Sequence, residues 1–167
     1  KGKLILACHH TLIDLLSTLP SVDRVVDMNH ELPSYDRYVP LLSLPRLLNI
    51  TESNIPSLPY LTANSNLTVN PSIPVNDTNK IKIGLTWAGT ARHPSDPYRN
   101  RSCPIDTFKP FLNIPKIELF SLQTGPSKID LISINEERKI TDLSANIQSF
   151  EDTAALICNL DIVVTVD

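Results

Sequence analysis

The 167-residue sequence predicts an α/β protein with parallel sheets and flanking helices, organised as two lobes. Three observations carry that expectation. Short apolar runs alternate with segments whose apolar residues recur at helical spacing, the pattern of strand–helix–strand units. The alternation stops between 63 and 80, where Asn, Ser, Thr and Pro take over, and then restarts. Finally, a strand over Ile81–Trp87 runs through Ala88-Gly89 into a polar loop that gathers Arg92, His93, Asp96, Arg99 and Arg101 ahead of the next helix.

In the first half, Lys3-Leu4-Ile5-Leu6-Ala7-Cys8 suits a buried strand. Leu12, Leu15, Leu16 and Leu19 then fall at i, i+3, i+4 and i+7, one face of a helix. Thr11 and Asp14 fit a capping box at its start, and Pro20 is expected to stop it. Val22–Met28 reads as a second strand, Tyr35–Val39 as a third, and Leu41–Leu48 as a short helix interrupted by Pro45. The segment 63–80 is expected to be a linker, since long structureless loops are uncommon inside compact domains.

The second half repeats the pattern. After the Ile81–Trp87 strand, a helix is expected over Ile105–Leu112, with Cys103-Pro104-Ile105-Asp106 as its first turn. Ile117–Gln123 is a strand, and Lys128–Glu137 a helix or loop. Ser149 and Asp152 form a capping box for a helix running to Leu160, with Thr153, Leu156, Ile157 and Leu160 on one face. Ile162–Val166 is a β-branched strand that delivers Asp167. The domain reading is therefore 1–62, a linker at 63–80, and 81–167, with two incomplete Rossmann-like lobes. Lys1 opens into a strand and Asp167 closes on the tip of one, so the chain is expected to be a fragment.

Composition narrows the function classes. A net charge of −3 argues against a nucleic-acid-coating surface, so a basic site must be local. No apolar run approaches the roughly 20 residues of a membrane helix, and no signal peptide is recognisable. Cys8, Cys103 and Cys158 are odd in number and far apart, which points to a reducing compartment and a cytoplasmic location. His9-His10 and His93 lack further ligands at metal spacing, so no metal is expected. The four Asn-x-Ser/Thr sequons, at Asn49, Asn66, Asn76 and Asn100, are read as chance matches in an Asn- and Ser-rich chain.

The chemistry-bearing positions cluster at strand exits. Gly89 and Gly125 follow two strands, where glycine allows close backbone approach to a ligand or a positive φ. Arg99-Asn100-Arg101-Ser102 brings two guanidinium groups and a hydroxyl to a helix start; guanidinium forks match phosphate oxygens in pairs. Ser102 taken alone reads better as the simple N-cap of that helix. Gly84 to Gly89 matches neither a dinucleotide fingerprint nor a Walker loop. No catalytic triad pattern is present.

Several motifs in order carry a family resemblance. They are Tyr35-Asp36-Arg37-Tyr38-Val39-Pro40-Leu41-Leu42-Ser43-Leu44-Pro45, Gly84-Leu85-Thr86-Trp87-Ala88-Gly89 with His93, Asp96 and Arg99-Asn100-Arg101-Ser102, Ser121-Leu122-Gln123-x-Gly125-Pro126, Phe150-x-Asp152-Thr153-Ala154-Ala155, and Leu160-Asp161-Ile162-Val163-Val164-Thr165-Val166-Asp167. Together they resemble the glycosyltransferase-like C-terminal module of bacterial tetratricopeptide-repeat proteins, which is similar to heptosyltransferases and O-linked N-acetylglucosamine transferases. The resemblance covers nearly the whole chain outside the linker.

It implies a GT-B architecture, with 1–62 as the end of the acceptor lobe and 81–167 as the first half of the donor lobe. It implies a nucleotide-diphosphate sugar as donor, no metal, a protein or glycan acceptor, and tetratricopeptide repeats upstream in the parent. Gly89, His93, Arg99, Arg101, Ser102, Gln123 and Asp167 are the implied donor- and phosphate-binding residues; no catalytic base can be named. The chain departs from the family in its Pro- and Asn-rich linker and in ending at Asp167, before the diphosphate-facing turn, so the fragment itself is expected to be inactive. The rival expectations are a non-catalytic scaffold module and another Rossmann-like nucleotide binder, such as a two-lobed epimerase.

Overall fold

The computed structural model describes residues 2–55, 57–63, 73, 79–89, 101–134 and 139–166. It is a mixed α/β structure with parallel sheets and flanking helices, and it divides into two compact units, 1–62 and 63–167.

In the first unit, β1 (Ile5–Cys8) and β2 (Arg24–Asp27) pair in parallel, with Cys8 opposite Asp27. They are joined by a 3-10 turn, His10–Leu12, and a single helical turn, α1 (Ile13–Leu16). The helix starts without a Thr11–Asp14 capping box, because the 3-10 turn occupies that position. It also stops four residues before Pro20. The hydroxyls of Ser17 and Thr18 donate to the carbonyls of Ile13 and Leu15, each at 2.7 Å, and so close off the last turn.

Tyr35–Val39 is not a strand. Pro33 and Pro40 flank it, and the rings of Tyr35 and Tyr38 stack edge to face at 6.1 Å, both exposed. Pro45 does not interrupt the next helix, α2 (Leu44–Leu47); it sits in the first turn, where its missing N–H is no loss. That helix ends in a Schellman motif. Asn49 takes φ 52°, its N–H reaches the Arg46 carbonyl, and the Ile50 N–H donates to the Pro45 carbonyl at 2.8 Å.

The second unit is a four-stranded parallel sheet. Its strands are β3 (Ile81–Thr86), β4 (Ile117–Ser121), β5 (Ile140–Asp142) and β6 (Ile162–Thr165), in the order β5-β4-β3-β6. β5 is absent from the sequence-based expectation: three residues are too few for a period-two pattern, and only pairing with β4 (Leu119 opposite Ile140) defines it. The helix expected over Ile105–Leu112 is a nine-residue 3-10 helix, Ile105–Asn113, with Pro110 inside it. Proline removes an i→i−4 donor and clashes with the turn before it, which disfavours the α form. Its N-cap is Pro104 and no side chain caps it, so Ser102 is not the cap. A further 3-10 turn, Pro126–Asp130, leads into α3 (Leu131–Ile134).

The Ser149–Asp152 capping box is present at α4 (Phe150–Ile157): Asp152 accepts from the Ser149 N–H at 2.8 Å, and Ser149 Oγ accepts from the Asp152 N–H at 3.2 Å. The helix ends at Ile157 rather than Leu160, and its buried face matches the expected one in part: Leu156 is buried and Leu160 packs against the same cluster. Glu151, Ala155 and Leu156 point inward, while Ile157 is exposed.

Side chains alternate across the sheet, as the pleat demands. Ile83, Leu85, Trp87 and Leu119 join Ile105, Phe108, Leu131, Ile134 and Ile140 in one cluster. Phe120 and Leu122 join Leu143, Leu156 and Ile73 in the other, so the segment read as a linker contributes Ile73 to this core. Gly84 faces the second cluster. A Cβ there would lie 2.6 Å from Leu160 Cδ1 and 3.0 Å from Leu122 Cδ1, so its missing side chain lets these leucines approach the strand.

Candidate functional site

Chain order and strand order together point to a candidate site. From β3 the chain steps outward to β4 and β5, then returns through α4 to the opposite flank of β3 as β6. The reversal falls between β3 and β6. In open parallel sheets, the crevice outside the strand C-termini at such a reversal is the favoured ligand position, because the two flanking connections diverge there.

The exit of β3 is held from three sides. Trp87 is almost fully buried, and its indole Nε1 donates to Asp130 Oδ2 at 3.2 Å. The Trp87 carbonyl accepts the Cys103 N–H at 2.9 Å, closing the base of the loop that leaves at Ala88 and returns at Ser102. The Gln123 side chain, 4% exposed, fills the remaining side. Its Oε1 accepts the N–H groups of Trp87 at 3.0 Å and Ala88 at 2.9 Å. Its Nε2 donates to the carbonyls of Ala88 and Thr124, both at 2.9 Å. Beyond Gln123, Gly125 adopts φ 74°, ψ −166°, a region open essentially to glycine alone.

The sequence-derived candidates are distributed as follows. Gly89 and Arg101 are exposed at the two ends of the loop whose base the Trp87–Cys103 bond closes. The Arg101 guanidinium forms no ion pair among the described residues. Ser102 is half-buried beside it. Gln123 lies beneath the β3 exit. His93, Arg99 and Asp167 lie outside the described residues; Val166, just before Asp167, donates its N–H to the Thr86 carbonyl at 3.1 Å, aligning the ends of β6 and β3. Asp130 escaped the sequence reading: an aspartate in a turn carries no local signal that it holds an indole 43 positions upstream.

A concavity lies in the first unit, and none of the sequence-derived candidates lines it. This cleft of about 540 Å³ runs beside β2 and is lined by Arg24, Asp27, His30 and Glu31, with Ile13, Val26 and Leu32 among its apolar walls. Asp27 Oδ1 accepts the Asn29 N–H at 2.9 Å, and Oδ2 lies 3.1 Å from His30 Nδ1. The Asn29 N–H holds the Asp27 carboxyl below its usual range, His30 adding to the effect against partial desolvation. Opposite it, burial pushes the Cys8 thiol up, and the Asp27 charge adds to the shift. Volume alone does not outweigh topology here: the cleft borders a two-stranded sheet, whereas the β3 exit combines the reversal, a closed loop base and a guanidinium with no ion pair among the described residues.

Among the described residues no group of three His, Cys, Asp or Glu side chains is arranged to hold a metal ion, and no helix is long and apolar enough to cross a membrane. No protein-family model, curated protein or solved structure matches the chain.

Proposed function

We propose that the second unit binds the diphosphate of a nucleotide sugar at the exit of β3, and that the chain is part of a GT-B glycosyltransferase-like module. The observation that carries this reading is the reversal of strand order between β3 and β6, with the Gly89–Arg101 loop leaving at that point. A nucleotide diphosphate needs charge neutralisation, and without a metal this falls to cationic side chains and backbone N–H groups. Arg101 is the cation available among the described residues at the loop base, and His93 and Arg99 share its loop in sequence.

In the intact parent, a base takes the proton of an acceptor hydroxyl, the oxygen attacks the anomeric carbon, and the diphosphate leaves with the bonding electron pair. Cationic groups stabilise that leaving group. The acceptor is a protein or glycan, and tetratricopeptide repeats present it.

Calorimetry or NMR titration with a nucleoside diphosphate tests the reading. Arg101→Ala should weaken binding by about 1.5–3 kcal/mol, the range for a charged hydrogen bond. Equal affinity for wild type and variant would remove Arg101 from the site. One observation favours a second reading, a non-catalytic docking module: Tyr38, Leu41, Leu42, Leu47, Leu58 and Tyr60 are all more than half exposed. Nucleotide-independent capture of the tetratricopeptide repeats by this segment would favour it.

A further inference from the structure

We infer that Gln123 is the positioning residue of the ligand site, locking the exits of β3 and β4 into one frame without itself touching the ligand. The inference rests on the ligand reading above and deepens it. A carboxamide offers two acceptor lone pairs and two N–H donors. All four are used here, at 2.9–3.0 Å, and all by backbone groups: the Trp87 and Ala88 N–H groups and the Ala88 and Thr124 carbonyls. A ligand contact would have to break one of these bonds and strand a buried polar group.

The amide orientation is fixed as well, since a flip would set the Nε2 donors against two N–H groups and Oε1 against two carbonyls. Only glutamine meets this set of four. Glutamate lacks the donors, methionine lacks both kinds of partner, and asparagine is one methylene short.

The consequence reaches the loop. Ala88, gripped at both its N–H and its carbonyl, immediately precedes Gly89. The return end of the loop is tied to Trp87 through the Cys103 N–H. Gly89 and Arg101 therefore share one frame, and Gln123 sets it. The short Ser121-Leu122-Gln123-x-Gly125 stretch gains a division of labour: Gln123 turns inward to clamp, and Gly125 turns the chain away.

NMR on the full chain, with inorganic pyrophosphate as the probe, tests this. In wild type, the Gln123 side-chain NH₂ protons should exchange slowly with solvent and stay unshifted on titration, while the Gly89 and Arg101 backbone amides move. In Gln123→Met, exchange at the Trp87 and Ala88 amides should rise at least about tenfold, with Leu85 and Phe120 amides still protected, and pyrophosphate affinity should fall about tenfold. A Gln123 side-chain amide that shifts in step with pyrophosphate overturns the inference in favour of direct contact, and this wild-type measurement holds even where the methionine variant fails to fold. Unchanged protection of Trp87 and Ala88 in a folded Gln123→Met overturns the clamp. If pyrophosphate moves no signal at the loop base in wild type, the ligand reading fails, and the ligand half of this inference with it; the exchange data still decide the clamp.

Discussion

The two units are written in the same strand–helix alphabet and end with very different interiors. Of the seventeen buried apolar residues described, the first unit holds Cys8 and Leu15, and the second holds the other fifteen. The cause is strand number. A parallel sheet is stable when both faces are covered, and two four-residue strands present too little face to cover. Four strands in the second unit give two faces, each with its own cluster, and bring Ile73 in as well. Similar sequence periodicity thus produces similar elements but not similar cores; the number of strands that close the sheet decides the outcome.

The most direct way to break this comparison is to separate the units. Residues 63–167 alone should keep a cooperative thermal transition, followed through Trp87, the chain's only tryptophan. Residues 1–62 alone should show none by circular dichroism. A cooperative melt of 1–62 would mean that its core is larger than its burial indicates.

Within the intact chain, Phe120→Ala should lower the stability of the second unit by about 3–5 kcal/mol, the range for deleting a well-packed aromatic. Leu15→Ala should leave the Trp87 transition where it is. A shift from Leu15→Ala approaching that from Phe120→Ala would show that the units unfold as one.

The capping box sharpens the contrast on a finer scale, since α1 lacks one and α4 has one. Ser149→Ala should cost the second unit about 1 kcal/mol in urea unfolding, by freeing the Asp152 N–H it caps. No change would leave the helix to its packing alone.

Smallest of all is the acid response of the first unit. The Asp27 carboxyl is lowered on folding, so the stability it adds is complete above its unfolded-state pKa of about 3.9 and is lost as pH falls through the lower folded-state value. Asp27→Asn should flatten that acid-side dependence, read by carboxyl-detected NMR of the intact chain. An Asp27 titration at the unfolded-state value would dismiss the Asn29 contact as the cause.

The sequence disclosed what local rules govern. The strands β1, β2, β3, β4 and β6, the Ser149–Asp152 box and the special backbone at Gly125 all follow from periodicity, capping chemistry or glycine's φ freedom. It missed what only a tertiary partner defines. β5 exists because β4 pairs with it, and Asp130 matters because an indole reaches it. Gln123 was named among the candidates, but its four backbone partner groups, three of them on residues 35 and 36 positions away, were not legible. The 3-10 form of Ile105–Asn113 was foreshadowed by Pro110, a proline that an apolar face obscured.

The hydrogen bond from Cys103 to Trp87 has an evolutionary consequence. Together with the Gln123 contacts to Ala88, it fixes both ends of the 89–101 segment on the sheet. For such a loop the closure entropy grows only logarithmically, so doubling its length costs about 0.6 kcal/mol. A change of that size leaves the sheet beneath undisturbed. Residues could be inserted, deleted or exchanged there while the frame stays constant, so the molecule can vary what it recognises far more cheaply than how it folds.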